Sequence, residues 1–390
     1  MSRRNIPYAT QWVDDDDVNA VVAALRSERL TQGPKVKEFE DLAAEYCGAR
    51  YAVAVSSGTA ALHIAALAAG FGPGDEVITS PITFAATANS VLYCGARPVF
   101  ADIDPGTLCL DATKAGGSVN DKTRGIIPVH FAGLPCDMKK VRGLADEKGL
   151  IVIEDAAHAL GASYESEGRT YKVGGCAHSD MTAFSFHAVK HITTGEGGLV
   201  TTNDEDLYKK LLILRTHGIT RDESMMENPP DGPWYYEMLD LGFNYRITDF
   251  QCALGISQLA KLESFVSRRR EIKKAYDDAF GGMAEVIIQE EPGNARSSCH
   301  LYVIQFKSID RYAAFTALQD KGLGVNVHYI PVYRMPYYRR MGYTAIGCPE
   351  SERYYTRAVS LPMFPRMSDA DIEYVIESVK AVVRSGSGSV

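Results

Sequence analysis

Residues 51–69 read YAVAVSSGTAALHIAALAA, and this stretch decides the fold. Ala52–Val55 is an unbroken apolar run of strand length, and Ala60–Ala69 is an apolar run of helix length. Between them lies the small polar turn Ser56-Ser57-Gly58-Thr59. The same alternation continues outward. Further apolar runs of strand length fall at Glu76–Thr79, Pro98–Ala101, Gly125–Val129, Leu150–Glu154, Met181–Phe186 and Leu199–Thr202. Helical spacing occupies Ala85–Tyr93, Met138–Lys148 and Asp204–Arg215. Continuously apolar strands separated by helices predict a mostly parallel sheet covered on both faces. Seven such strands make one large α/β domain.

Before this core, Asp14–Asp17 precede Val18, Val21, Val22 and Leu25, which predicts a helix with carboxylates at its positive end. After it, Thr248–Phe280 reads as long helix, Cys299–Phe306 as a strand, and Arg311–Asp320, Glu350–Ala358 and Ser368–Val383 as helices. The expected division is a large domain over residues 1–255, with 1–30 as an N-terminal helical arm. A smaller α+β domain over 256–384 and a flexible Ser/Gly tail over 385–390 complete the chain.

The 390 residues are 46% hydrophobic and 23% charged, with a formal net charge of −8. That balance suits a large globular core and argues against a nucleic-acid partner. The one basic run, Arg268-Arg269-Arg270, reads as a solvated helix face. The eight cysteines are scattered without a CxxC pair, and Cys176 with His178 is too few ligands for zinc, so no metal is expected. Buried free thiols, no apolar N-terminal leader and no 20-residue apolar span point to the cytoplasm and away from a membrane.

Three segments at strand ends carry candidate chemistry, because ligands collect at the carboxyl ends of parallel strands. Ser56–Thr59 opens a helix, which is in the first place a plain N-cap and in the second a phosphate cup. It has neither a GxGxxG nor a GxxxxGKS pattern. Glu154-Asp155-Ala156-Ala157-His158 follows the apolar Ile151-Val152-Ile153. An acid there needs a cationic or hydrogen-bonding partner, and a protonated pyridine nitrogen, a magnesium ion and a helix N-terminus all qualify. Finally, Phe184-Ser185-Phe186-His187-Ala188-Val189-Lys190 leads into Thr193-Thr194-Gly195-Glu196-Gly197-Gly198. A lysine between an apolar strand and a glycine-rich loop loses water, and its amine moves toward a nucleophile's range.

With Lys190 in place, the chain resembles the DegT/DnrJ/EryC1/StrS sugar aminotransferases, a branch of the fold-type I pyridoxal-phosphate enzymes. The resemblance runs through Leu30–Pro34, Ser56–His63, Pro81–Thr87, Pro128–Gly133, Glu154–Gly161, Phe186–Gly198, Gly242–Arg246 and Val327–Pro331. It implies pyridoxal 5'-phosphate held covalently by Lys190, which also shuttles the proton. Asp155 pairs with the pyridine nitrogen, Phe84 stacks on the ring, and Gly58, Thr59 and Ser185 hold the phosphate with Asn244 of the partner subunit. His158 stands where the family more often has glutamine, and its N–H serves the cofactor's phenolic oxygen. His187, Arg246, His328 and Tyr329 face the substrate. A cytoplasmic homodimer with composite sites follows, using L-glutamate and a nucleotide-sugar.

Residues Phe186–Gly198 are most similar to the branch of pseudaminic acid synthesis, which aminates C4 of a UDP-linked 4-keto-6-deoxy-N-acetylhexosamine. The alternatives are a dTDP-linked 3- or 4-keto deoxysugar as substrate, or a catalytically silent regulatory protein that binds the cofactor. Asp155 and Lys190 together argue against the silent protein. The missing glycine fingerprint argues against an oxidoreductase.

Overall fold

The computed structural model describes residues 4–344 and 346–386. Its centre is a seven-stranded sheet: β1 (Tyr51–Val55), β2 (Glu76–Thr79), β3 (Arg97–Phe100), β4 (Thr123–Ile127), β5 (Ile151–Asp155), β6 (Met181–Ser185) and β7 (Gly198–Thr202). The spatial order is β1-β7-β6-β5-β4-β2-β3, and only β7 runs against its neighbours. All seven expected strands are present, within two residues of the predicted bounds at each end. They are mostly apolar because helices cover both faces. The apolar side chains form one cluster on each side of the sheet, with Phe184, Leu199 and Ile126 in one and Val53, Ile153 and Val200 in the other.

Because β1, β2, β5 and β6 run the same way, the segments that follow them leave the sheet along one edge. Helices α1 (Asp15–Leu25), α2 (Pro34–Cys47), α3 (Gly58–Ala68) and α4 (Ala85–Tyr93) belong to this half of the molecule. The aspartate run caps α1 as expected. Asp17 N donates to Asp14 Oδ1 at 3.2 Å, and Asp14 N donates back to Asp17 Oδ2 at 3.1 Å.

Toward the C-terminus, Val286–Ile288, Tyr302–Phe306 and Ala358–Leu361 form a three-stranded antiparallel sheet. A second core gathers there from Tyr276, Phe280, Ile304, Leu318 and Val379, and Ile6 from the N-terminal arm joins it. Residues 332–348 instead pack on α4 and β3, through Val332, Tyr333 and Tyr338 against Ala88 and Phe100.

Four expectations are corrected. The single helix over 248–280 is two, Asp249–Leu259 and Leu262–Phe280. The break presents the Lys261 ammonium to Asp17 at 3.0 Å and to Asp14, tying α1 down. The strand expected from Cys299 begins at Tyr302. Residues 298–301 form a strap instead, with Ser298 N and His300 N donating to the Gly133 and Ala132 carbonyls, and Cys299 has φ of +56°. The basic run is not one solvated face, since Arg269 is 1% exposed. Of the expected tail, Ser385 and Gly386 complete the last helix, while 387–390 lie outside the described residues. All eight cysteines are buried and unbridged. No described helix is long and apolar enough to cross a membrane.

The two halves are pinned by Asp102, 3% exposed just beyond β3. Its carboxylate accepts from Glu350 N (2.8 Å), Ser351 N (2.9 Å) and Ser351 Oγ (2.6 Å), capping the helix Pro349–Arg357 from across the chain. Burial alone would raise its pKa, but the hydrogen bonds from Ser351 and Glu350 win and hold it low. Asp102→Ala is therefore expected to cost about 2 kcal/mol in urea unfolding at pH 7. The wild-type advantage is present above the ordinary aspartate value of about 3.9 and vanishes as pH falls through the lower folded value. An unchanged unfolding midpoint at pH 7 would remove Asp102 from the linkage.

Candidate active site

The phosphate cup begins with Ser57, whose Oγ caps α3 by accepting from Ala60 N at 3.1 Å. The plain cap and the cup are thus the same turn. Capping uses Ala60 N and leaves the Gly58 and Thr59 N–H groups without a hydrogen bond inside the described protein. Both point from a helix start, where an anion is favoured. Ser185, at the end of β6, closes the other side. A Cβ on Gly58 would lie 2.7 Å from Ser185 Cβ and 3.0 Å from its Oγ, so glycine is what lets the two segments meet. Gly198 serves the same end, because a Cβ there would lie 2.3 Å from the Ser57 carbonyl oxygen.

Asp155 ends β5 and is 5% exposed. Its Oδ2 accepts from Thr87 Oγ1 at 2.6 Å, and Thr83 Oγ1 stands 2.6 Å behind Thr87, so the two hydroxyls form a relay toward the carboxylate. Oδ1 accepts only from Ala157 N at 3.1 Å. No helix starts here, so the capping reading lapses. Glu154 does not converge with Asp155 either. It is satisfied on the other side of the strand by His130 Nε2 at 2.6 Å, Thr182 Oγ1 at 2.9 Å and Ser179 Oγ. Burial would raise the Glu154 pKa, but His130 and the two hydroxyls hold it low.

Lys190 lies five residues past β6. The residue keeps some exposed surface, yet its amine is ringed by protein. Burial drives its pKa down to about 8, with Asp155 pulling it up and Arg269 pushing it further down. Above that pH the amine carries a free electron pair.

Around this amine sit neutral imidazoles. His158 Nε2 is 3.1 Å from the Tyr329 hydroxyl. When Tyr329 donates, the proton of His158 sits on Nδ1, which is buried and without a partner among the described residues. Burial first, then Lys190 and the neighbouring His328 and His191, hold its pKa far below the usual range. His328 Nδ1 meets Ser360 Oγ at 2.8 Å, and burial with Lys190 lowers its pKa to about 4. Burial keeps the Tyr329 phenol protonated. Phe84 is 62% exposed, its centroid 6.3 Å from that of Tyr329, a bare aromatic face next to that phenol.

These features fit pyridoxal phosphate. The cup has open N–H donors and a glycine-dependent floor. Asp155 is a buried carboxylate with room for a cationic partner, His158 has an unused ring nitrogen, and Phe84 is an uncovered ring.

The other expected residues stand apart. His187 is exposed and half-buried Arg246 lines a groove of about 270 Å³ with Gln32, Lys37 and Arg215. Asn244 is exposed, with no side-chain hydrogen bond among the described residues. Its neighbour Tyr245 fastens that loop, accepting from Ser56 N at 2.8 Å through its carbonyl and meeting His63 Nδ1 at 3.1 Å through its hydroxyl. Three contributors escaped the sequence reading: Thr87, His300 and Tyr8. Thr83 and Thr87, four apart around Phe84, are a signal that was there to read. His300, 4.4 Å from His158, and Tyr8, 5.3 Å from His328, arrive from distant segments that carry none.

Gly58→Ala is expected to weaken pyridoxal phosphate binding by about tenfold or more, since the methyl would occupy the phosphate floor. Absorbance titration of cofactor-free protein reads the affinity, and far-ultraviolet circular dichroism checks the fold. Wild-type affinity in a folded variant would place the phosphate elsewhere.

Comparison with known proteins agrees with this geometry. Over residues 11–380 the chain matches the DegT/DnrJ/EryC1/StrS aminotransferase family. SpsC of Bacillus subtilis (strain 168), a spore coat polysaccharide biosynthesis protein, is 41% identical over 392 residues, covering 98% of this chain and 99% of its own. The PLP form of Spr1654 from Streptococcus pneumoniae superposes with a TM-score of 0.90 at 30% identity, over 98% of this chain and 100% of that one. Helicobacter pylori PseC, an aminotransferase involved in the biosynthesis of pseudoaminic acid, gives 0.89 at 31%, over 98% and 100%. A family match across nearly the whole chain, with a cup, a buried carboxylate and a desolvated lysine in their places, has one conclusion: the chain belongs to the DegT/DnrJ/EryC1/StrS aminotransferase family, whose cofactor is pyridoxal phosphate.

Proposed function

We propose that this sugar aminotransferase transfers an amino group from glutamate to C4 of a UDP-linked 4-keto-6-deoxy-N-acetylhexosamine, the reaction type of pseudaminic acid synthesis. The observation that carries the substrate is the likeness to PseC over the full length of both chains. The segment Phe186–Gly198 points the same way. A dTDP-linked 3- or 4-keto deoxysugar is the competing substrate.

When bound, pyridoxal phosphate supplies an electron sink for the carbon that loses or gains a proton. The chain's residues supply the rest. Lys190 holds the cofactor, and its amine, neutral above about pH 8, moves the proton to and from the reacting carbon. Asp155, oriented by Thr87, keeps positive charge on the pyridine nitrogen. Gly58, Thr59 and Ser185 grip the phosphate, Phe84 covers one ring face, and His158 donates from Nδ1 to the phenolic oxygen. His187, His328 and Tyr329 orient the sugar, while Arg246 receives the donor's carboxylate.

The direct test supplies purified protein and glutamate with each keto sugar and follows the amino-sugar mass. Amination of the UDP-linked C4 ketone, and not of the dTDP-linked sugars, is expected; the reverse preference sinks the substrate reading. Borohydride reduction of the loaded protein should label Lys190 in peptide maps. Lys190→Ala should abolish turnover in a folded protein, and Asp155→Asn should bind cofactor but lose most of the rate, since a charged hydrogen bond contributes roughly 1.5–3 kcal/mol.

The proposed active unit is a homodimer in which Asn244 of the partner subunit completes the phosphate cup. Exposed Asn244, on a loop fastened by Tyr245, supports this, as does the bare apolar surface of Trp234, Met238 and Leu241 close by in sequence. Inactive Lys190→Ala subunits, exchanged with inactive Asn244/Arg246 double-alanine subunits, should regain activity in one site of each hybrid. A mixture that stays dead despite proven exchange rejects the shared site.

A further inference from the structure

Arg269 stands out among the charged residues of the chain. It lies on the helix Leu262–Phe280, between Arg268, which pairs with Glu271 and Asp369, and Arg270, which donates to the Ser297 and Gly161 carbonyls. The Arg269 guanidinium is 1% exposed. Its Nη1 donates to the carbonyls of Met363 (3.0 Å), His300 (3.2 Å) and Cys299 (3.4 Å), all neutral acceptors. Its Nε is buried without a partner among the described residues, and no described carboxylate forms a salt bridge with it. Buried Asp17, which shares Gln258 with that side of the molecule, is already engaged by Lys261 at 3.0 Å and by Gln258 Nε2 at 2.6 Å. A buried cation without a counter-charge is costly, so hydrogen bonding to carbonyls alone would be better served by a neutral amide.

What Arg269 shares is a narrow cavity, lined also by Lys190, His191, Trp12 and Gln258. The groups around the Lys190 amine come from several elements. From β5 comes Asp155, whose carboxylate favours the ammonium. Burial holds the imidazoles of His158, His191, His300 and His328 neutral and the phenols of Tyr8 and Tyr329 protonated. That leaves Arg269 as the fixed positive charge opposite Asp155.

We propose that Arg269 is a positioning residue for the Lys190 amine: its charge, unpaired among the described residues, shares the amine's cavity, offsets Asp155 and favours the neutral, nucleophilic form of that amine. The same guanidinium ties down the strap that carries His300 beneath His158, so one side chain sets both the charge and the packing behind the lysine. The catalytic consequence rests on the reading of Lys190 as the reacting amine. The electrostatic effect does not, and it is measurable on cofactor-free protein.

The experiment is trace labelling of cofactor-free protein with acetic anhydride across pH, with the Lys190 peptide quantified by mass spectrometry. The wild-type midpoint is expected near 8. In Arg269→Gln the amide can still donate to the carbonyls, but the charge is gone, and the midpoint should rise measurably above that of wild type. Arg269→Lys restores the charge without the planar guanidinium and should stay close to wild type. A structural role alone would disturb both variants alike and leave the midpoint of the folded protein unmoved. An Arg269→Gln midpoint equal to wild type overturns the proposal. So does a wild-type midpoint near the ordinary lysine value of about 10.4, which needs no variant to fold. Failure of Lys190 to carry the borohydride label would instead defeat the active-site reading and leave this result standing.

Discussion

Everything at the active edge depends on a carboxylate placed where carboxylates are costly. Asp155 ends a strand buried on both faces and receives two hydrogen bonds within the chain, from Thr87 and Ala157. Those bonds orient it without neutralising it. A cationic partner completes it, and a protonated pyridine ring meets that need. Parallel strand direction then places the remaining contributors, since β1, β2, β5 and β6 release the cup, Phe84, Asp155 and the lysine segment along one edge. The pyridine end and the phosphate end of one small ligand are thereby addressed by separate strands whose spacing the sheet fixes.

A second layer comes from chain distant in sequence. The strap at 298–301 is drawn onto the sheet domain by the Gly133 and Ala132 carbonyls, and Ser298 Oγ reaches the His158 carbonyl at 3.1 Å. A side chain on Gly133 would collide with Ser298 Oγ at 2.8 Å and with Cys299 N at 2.9 Å, so the contact is as close as backbone allows. His191 Nε2 donates to the Ser298 carbonyl at 3.1 Å, which links the residue beside Lys190 to the same strap. The packing that completes the C-terminal fold therefore also fixes the imidazoles around the amine.

Much of this was legible in the sequence, for reasons that differ by element. The seven strands read correctly because burial on both faces keeps each run mostly apolar. Asp155 and Lys190 drew attention because each is a charged residue at or just beyond the end of such a run. The break at Ala260-Lys261 was not legible, because the ion pair it presents is with Asp14 and Asp17, some 240 positions away. Arg269 was misread for a similar reason. Three consecutive arginines look like a solvated face, and only the carbonyls of Cys299, His300 and Met363 make burial of the middle one possible. Thr87 stood inside a quoted motif, but a hydroxyl at a helix start has too many ordinary uses to single out.

The chain carries a net charge of −8, yet the cofactor it holds ends in a phosphate. Screening resolves the conflict. At physiological salt, surface charges act over about 8 Å, so the overall balance hardly reaches the cup. What the chain offers a phosphate is local: the two open N–H groups at the start of α3, the positive end of that helix, and the Ser185 hydroxyl. These are dipoles and not full charges, and they hold an anion without adding a cation beside Lys190. A lysine or arginine in the cup would grip the phosphate more strongly, but it would alter the field at the amine that does the chemistry. A cup built from backbone leaves that field to the buried side chains around the amine, Asp155 and Arg269 among them.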